Sequence, residues 1–354
     1  MKGKWITHPL YAKLKPLNVF HKQLDNNFSY SHPEDMKNIH TLFLKKFTLD
    51  GFSRVRIKIT ADDLFKLYVN GNFVLSGPVP GYYFSQYYNT VDVTQYLRKG
   101  VNTVAVHTCY YGVLNRVTVS GDMRQGLWLE LEADGKTALV SDESFLCAPH
   151  SGYLKADVTG YNTQFKENYD FNSPENGFMK ENYSAENWVH AEQSEYADYT
   201  LVPAPVQNLT YYEEKPVSVR RRGDSVLFDF GCERVGYPEF TVSGRKGSKV
   251  TVVAGEEFDD GGNIKNPLRC GCDYGDTLTL SGGKDEYEAF DYKAFRYLEI
   301  TTEKGANLDE ESVRMRVRHY PFKEFRRYEG ADKRAKQVWE LCRNTLKYGV
   351  QEVY

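Results

Sequence analysis

Val226-Leu-Phe-Asp-Phe-Gly231, Val235-Gly-Tyr-Pro238, Glu239-Phe-Thr-Val-Ser-Gly244 and Ala294-Phe-Arg-Tyr-Leu-Glu-Ile300 belong to one stretch, Val226 to Thr301, whose reading decides the fold. Between them run Lys246-Gly-Ser-Lys-Val-Thr-Val-Val-Ala-Gly-Glu-Glu257 and the loop Phe258-Asp-Asp-Gly-Gly-Asn-Ile264. Each run alternates apolar and polar residues briefly and ends in Gly or Asp, the pattern of an antiparallel sheet with tight turns. The stretch also crowds together four carboxylates, Glu256, Glu257, Asp259 and Asp260. Grouped carboxylates suit acid–base chemistry or an oxygen-ligated cation such as calcium. The local pattern points elsewhere. Glu256 and Glu257 are neighbours on a predicted strand and so face opposite ways, while Asp259-Asp-Gly-Gly262 has the composition of a turn. The four acids are read as a turn with a solvated face, and no catalytic or metal-ligating residue is assigned in the chain.

Outward from this stretch, a second β domain is expected over residues 217–320. Its last strand is Ser312-Val-Arg-Met-Arg-Val-Arg-His319, with Val313, Met315 and Val317 inward and the three arginines outward. After Tyr320-Pro321 the period changes. Asp332 is an N-cap, and Ala335, Val338, Trp339, Cys342 and Leu346 share one face of a helix. Residues 321–354 are therefore read as the start of a helical domain. The apolar stripe either docks back on the β domains or is covered by helices that follow. The abrupt end of the pattern favours the second, so the chain is expected to be truncated.

Towards the N-terminus, Val202-Pro-Ala-Pro205 and Lys215-Pro216 mark extended chain, and residues 201–216 are expected to be a linker. Residues 1–200 form the first domain. His40 to Leu49 is a strand, and Arg54-Val-Arg-Ile-Lys-Ile-Thr60 alternates as a half-buried strand does. Asn70-Gly71 between two apolar runs is a hairpin turn, because both residues tolerate positive φ. Further strands follow at Tyr88–Val93, Val101–His107, Leu127–Glu132 and Thr137–Val140. The fold class is thus mainly β, a jelly roll followed by a second antiparallel sandwich. In the first domain Gly81-Tyr-Tyr-Phe-Ser-Gln-Tyr-Tyr88 gathers Tyr82, Tyr83, Tyr87 and Tyr88, with Tyr110 and Tyr111 expected nearby. These six rings either plug one end of the jelly roll or form a platform on which a sugar's apolar face stacks.

The net charge of −3, with acids and bases interspersed, provides no basic field for a nucleic-acid backbone. No apolar run reaches the roughly 20 residues of a membrane span, and no apolar signal core follows Lys2 and Lys4, so the chain reads as cytoplasmic. Six cysteines, only Cys270 and Cys272 close together, provide neither a disulfide framework nor zinc spacing.

The second domain resembles the β-sandwich of bacterial α-L-rhamnosidases of glycoside hydrolase family 78. The likeness rests on Phe228-Asp-Phe-Gly231, Val235-Gly236, Gly244-Arg-Lys-Gly247, Gly255-Glu256 and Phe295-Arg-Tyr297. The first domain is similar to the galactose-binding-like jelly roll that precedes it, through Leu67-Tyr-Val-Asn-Gly71, Asp92-Val-Thr94 and Gly100-Val-Asn102. Trp339-Glu-Leu-Cys-Arg-Asn344 looks like the lead-in to that family's α/α barrel. The resemblance implies inverting hydrolysis of terminal α-L-rhamnose, with rhamnose-containing glycosides as partners and no organic cofactor. It places acid and base in the barrel, beyond Tyr354, and no acid of this sequence matches them. The β domains would brace that barrel. The alternatives are a stand-alone carbohydrate-binding module and the accessory domains of another exo-glycosidase, such as a β-galactosidase relative.

Overall fold

The computed structural model describes residues 1–16, 33–82, 85–113, 122–160, 164–196 and 198–352. Its strands in chain order begin with β1 (Ile6–Thr7), β2 (Ile39–Leu49), β3 (Val55–Asp62), β4 (Leu64–Val69), β5 (Asn72–Gly77), β6 (Ser85–Asp92) and β7 (Gly100–Tyr110). Next come β8 (Gly126–Ala133), β9 (Lys136–Val140), β10 (Leu146–Pro149), β11 (Asn168–Asp170), β12 (Val189–His190), β13 (Glu192–Gln193) and β14 (Thr200–Pro203). The series closes with β15 (Thr210–Glu214), β16 (Ser218–Arg222), β17 (Ser225–Ser243), β18 (Lys249–Gly255), β19 (Gly275–Thr279), β20 (Lys284–Glu288), β21 (Lys293–Thr302) and β22 (Asn307–His319). One helix, α1 (Lys333–Gly349), follows. These elements fall into two compact units, Met1–Phe165 with Ser173–Pro205, and Lys166–Asn172 with Val206–Tyr354.

Unit 1 contains two sheets, ordered β13-β1-β8-β3-β6-β14, with β9 on β8, and β12-β10-β2-β7-β4-β5. On β3, Val55, Ile57 and Ile59 are fully buried, while Lys58 reaches across to Glu132 at 2.7 Å. That is the alternation expected of a strand with one wet face. The β4–β5 hairpin turns through Asn70 (φ 47°) and Gly71 (φ 80°), the two positive values that a right-twisted two-residue turn demands. Strands β2, β4 and β7 depart from simple alternation because both their faces are covered. Phe43, Phe65, Val104 and Val106 line one face. Leu42, Tyr68 and Ala105 on the other pack under Phe178, with Met179, Tyr183 and Trp188 beside it. The polar-looking run after Tyr161 thus supplies the lid of a second small core.

Unit 2 is a nine-stranded ladder, β11-β19-β18-β21-β17-β22-β15, with β16 and β20 also on β17. Where sequence patterning gives two strands, the structure has a single strand of 19 residues, β17. Its first half pairs with β16 and β21, and its second half with β20 and β22. The register slips between Asp229 and Arg234, where Gly231 takes φ 81°. A bulge bends and twists a strand, and past it β17 exchanges its partners β16 and β21 for β20 and β22 within the same ladder. Gly236 follows for a packing reason: a Cβ there would lie 2.5 Å from the carbonyl oxygen of Arg316 on β22.

The expected linker 201–216 is instead built into both units. β14 pairs with β6 in parallel, and β15 pairs with β22. The segment Lys166–Asn172 also crosses over, since β11 lies parallel to β19. The helix starts where expected: the Asp332 side chain accepts from Arg334 N (2.8 Å) and Ala335 N (3.2 Å). Its N-terminal and middle turns leave Val338 and Leu341 exposed, and only Tyr348 is buried. Tyr348 shares a hydrogen bond with the Tyr212 hydroxyl at 2.9 Å.

Candidate functional site

At one end of unit 1, the β3–β4 and β7–β8 connections are drawn together with the approach to β14. Asp62 ends β3, and Asp63 alone links it to β4. The Tyr199 hydroxyl donates to Asp62 Oδ2 at 2.5 Å, and Tyr111 N donates to Asp63 Oδ2 at 2.8 Å. Arg124 grips Asp122 through Nε (2.8 Å) and Nη2 (2.6 Å) and reaches Asp198 through Nη1. Its guanidinium lies 4.0 Å from the centre of the Tyr199 ring, and Trp5 packs on the same ring at 4.9 Å. Burial, with Asp62 beside it, holds the Asp63 carboxyl well above the usual carboxylate range. Burial and the same carboxylate raise the Tyr199 phenol well above its ordinary value. In both groups burial disfavours the charged form.

This cluster was not legible as a site in the sequence, because Asp62, Asp122, Arg124 and Tyr199 are far apart in the chain. Its chemistry is that of a loop clamp. Asp62, Asp63 and Asp122 are buried, and each accepts from a named protein donor, which leaves no open face for a reacting group.

The six tyrosines do not form one platform. Tyr82 is exposed at 47%, and its backbone exchanges reciprocal hydrogen bonds with that of Ser85. Tyr83 lies outside the described residues. Tyr87 and Tyr88 are half-buried neighbours on β6, so their rings leave opposite faces of the sheet. Tyr88 packs 5.4 Å from Trp128. Tyr110 and Tyr111 are 1% and 3% exposed. The Tyr110 hydroxyl accepts from Met123 N at 2.9 Å. These two are core residues, and a stacking role for them is corrected on that ground.

The acidic run of unit 2 is a solvated turn. β18 ends at Gly255, so Glu256 and Glu257 lie just past the strand rather than on it, and Glu256, Glu257, Asp259 and Asp260 are all exposed. Asp259 Oδ1 accepts from Asn263 N at 2.9 Å, and Glu257 pairs with Lys265 at 2.7 Å. Among the described residues no group of three or more His, Cys, Asp or Glu is placed to hold a metal ion.

The motifs of unit 2 interlock across β17 and β21. Asp229 takes a two-pronged grip from Arg296, Nε at 2.8 Å and Nη2 at 2.9 Å. That contact lowers the Asp229 carboxyl. Phe230 meets Phe295 edge to face at 5.6 Å, and Tyr297 packs against Phe258 at 4.2 Å. Phe228-Asp-Phe230 and Phe295-Arg-Tyr297 are thus two halves of one packing unit, and their role is structural.

Beneath them lies a buried polar cluster that patterning missed. Lys293 Nζ donates to Asp276 Oδ2 at 2.6 Å, both side chains being 1% exposed. Asp276 Oδ1 also accepts from Glu167 N at 2.9 Å. Glu167 accepts from Asp291 N at 3.1 Å and from the Tyr287 hydroxyl at 3.1 Å. Burial, partly offset by Lys293 and reinforced by Asp276 and Asp291, pushes Glu167 up to about 7. The cluster fastens residues 166–172 to the sheet of unit 2.

A two-sheet unit followed by a nine-stranded one defines a chain of two β domains in series. The bacterial α-L-rhamnosidase concanavalin-like domain matches residues 219–319, and the α-L-rhamnosidase N-terminal domain matches residues 51–221. The chain belongs to the bacterial α-L-rhamnosidase family and carries its N-terminal and concanavalin-like domains. It is 26% identical over 266 residues to an α-L-rhamnosidase of Alteromonas sp. (strain LOR), covering 70% of this chain and 28% of that protein. The fold superposes on the GH78 family rhamnosidase of Bacillus sp. GL1 with a TM-score of 0.82 at 14% identity, covering 99% of this chain and 58% of that one. It superposes on a Streptomyces avermitilis α-L-rhamnosidase complexed with L-rhamnose with a TM-score of 0.70 at 23% identity, covering 90% and 32%. The chain therefore spans little more than a quarter of the curated relative.

Among the described residues no helix is long and apolar enough to cross a membrane.

Proposed function

We propose that the protein carrying this chain releases terminal α-L-rhamnose by inverting hydrolysis, and that these β units are its non-catalytic part. The observation that carries the reading is the adjacent match of two rhamnosidase domain models over residues 51–319. The local chemistry agrees with it. An inverting glycosidase needs two carboxyl groups about 6.5–9.5 Å apart across an open sugar site. Here Asp62 and Asp63 are buried in the loop clamp, and Glu256 to Asp260 are spent on a solvated turn. Acid and base belong to a helical domain that α1 introduces, and the two sandwiches support it. Rhamnose-containing glycosides are the partner. The free thiols of Cys147, Cys232 and Cys342 suit a reducing, cytoplasmic setting.

The test uses an aryl α-L-rhamnoside. Residues 1–354 alone should give no turnover. The protein that joins them to the helical domain should release rhamnose, first as the inverted anomer by NMR. Turnover by residues 1–354, or none by the longer protein, refutes the proposal.

A further inference from the structure

Three histidines meet on the covered face of the second sheet of unit 1. The register of β2, β4 and β7 puts His40 and Leu42, Lys66 and Tyr68, and Ala105, His107 and Cys109 on that face. His150, just past β10, joins them, its backbone N–H donating to His40 O at 2.8 Å. All three rings are buried. Tyr153 stacks on His40 at 3.7 Å and lies 5.3 Å from His107. Phe178 closes over the group, edge-on to His107 at 5.8 Å and to His150 at 5.9 Å. We propose that this cluster is an acid-released latch: ring protonation lifts the cover, residues 173–188, from the sheet while the strands beneath stay paired. The latch belongs to unit 1 alone and is independent of the rhamnoside reading.

The hydrogen bonds require unprotonated nitrogens. His40 Nε2 lies 3.2 Å from Asn38 Oδ1, which only accepts, so Nε2 holds the proton. In neutral His40, Nδ1 therefore accepts from His107 Nε2 at 2.9 Å. With both rings protonated, two N–H donors face each other at that distance and the bond is lost. The charged groups that face the rings are Lys66 of β4 and Glu175 of the cover. Lys66 lies opposite His107 and is buried with it, so protonation adds cations beside a cation. Glu175 Oε2 already accepts from Ser151 N (3.1 Å), Ser151 Oγ (2.6 Å) and Ser173 Oγ (2.5 Å). The Cys109 thiol, 3.7 Å from His40 Nε2, and the Tyr153 phenol are the other titratable neighbours.

Burial, with His150 beside it, holds His40 well below the usual imidazole range. Burial, with His40, His150 and Lys66, does the same to His107. Burial, partly offset by Glu175, takes His150 down to about 4 from 6.5. Each ring therefore stabilises the covered state fully above pH 6.5, and that contribution is lost as pH falls towards 4. The cover is the part that yields. Its backbone bonds include short local turns, Asn176 N to Ser173 O, Phe178 N to Glu175 O, Lys180 N to Gly177 O and Tyr183 N to Lys180 O. Strands β2 and β7 pair along all 11 residues of each. Opening costs least where side-chain packing rather than a ladder holds the chain.

The experiment follows amide hydrogen exchange of residues 1–354 at pH 7 and pH 5, corrected for the intrinsic rate. One ring released from about 4 to 6.5 raises the opening constant about 20-fold between those two conditions. Amides 175–183 should show a rise of at least about 20-fold, and the amides of β3 and β8 less than about tenfold. His150→Gln and His107→Gln each remove one titrating ring, and each should cut the rise in the cover by about 20-fold. The wild-type comparison stands even where a variant fails to fold. A smaller rise in the cover, an equal rise in β3 and β8, or an unchanged rise in both variants overturns the proposal.

Discussion

Glu167→Gln removes one charge from the interior of unit 2 and keeps the shape. The glutamine oxygen can replace Oε1 and accept from Asp291 N, while its amide nitrogen replaces Oε2 and donates to the Tyr287 hydroxyl, which then turns its own proton elsewhere; both contacts are 3.1 Å in the wild type. In the folded chain Glu167 titrates near 7, against an ordinary value of 4.5. A group whose folded pKa is raised holds its proton more tightly when folded. Its stabilising contribution is therefore complete below pH 4.5 and is lost as pH rises through 7. At 1.36 kcal/mol per pKa unit, the loss is about 3 kcal/mol between pH 4.5 and pH 8. The variant has no such group, so its stability should fall less over that window. The assay is urea unfolding at pH 5 and pH 8, with hydrogen exchange at the β19 and β21 amides to isolate unit 2. The informative quantity is the wild-type change minus the variant change, which cancels titrations elsewhere. A difference of about 2–4 kcal/mol is expected. A difference near zero, or one of opposite sign, refutes the claim that Glu167 is buried at a cost when charged.

Lys293→Met should destabilise unit 2 by about 3–5 kcal/mol, since it leaves Asp276 buried without its cation. Adding Asp276→Leu should recover a large part of that loss in the same urea titration, and a purely additive double variant refutes the pairing argument. Gly236→Ala should cost about 1–3 kcal/mol, because its Cβ would lie 2.5 Å from Arg316 O. A midpoint in urea equal to that of the wild type would show that β22 yields at no cost.

Much of the architecture could be read from short-range pattern. The strand at Val55–Asp62, the Asn70-Gly71 hairpin, the alternation of Val313, Met315 and Val317 and the cap at Asp332 all appear where periodicity and turn chemistry put them. Each depends on residues within a few positions of one another, which a sequence displays directly. The tyrosine run shows where that ends. Composition marks Tyr82, Tyr87, Tyr88, Tyr110 and Tyr111 as one group. Burial separates them, because Tyr110 ends the central strand β7 with Tyr111 buried just past it, whereas Tyr82 is exposed.

What the sequence by itself determined is therefore the class of each segment, the family motifs at Phe228-Asp-Phe230 and Phe295-Arg-Tyr297, and the absence of a basic surface. The tertiary structure decided which polar residues are functional surface and which are interior. Lys66 falls at a polar position of β4 and is 2% exposed, its ammonium 5.9 Å from the centre of the Phe73 ring. Glu167 looks like part of a polar loop and is buried 109 positions away from its partner Asp276. Asp229 and Arg296 become a pair only through the register of β17 against β21. Burial and pairing are properties of chain segments distant in sequence, so periodicity carries no trace of them. The stretch from Val226 to Thr301 holds four prominent acids on its surface, and its organising contacts lie in the bulged strand, the interlocked aromatics and the buried lysine beneath them.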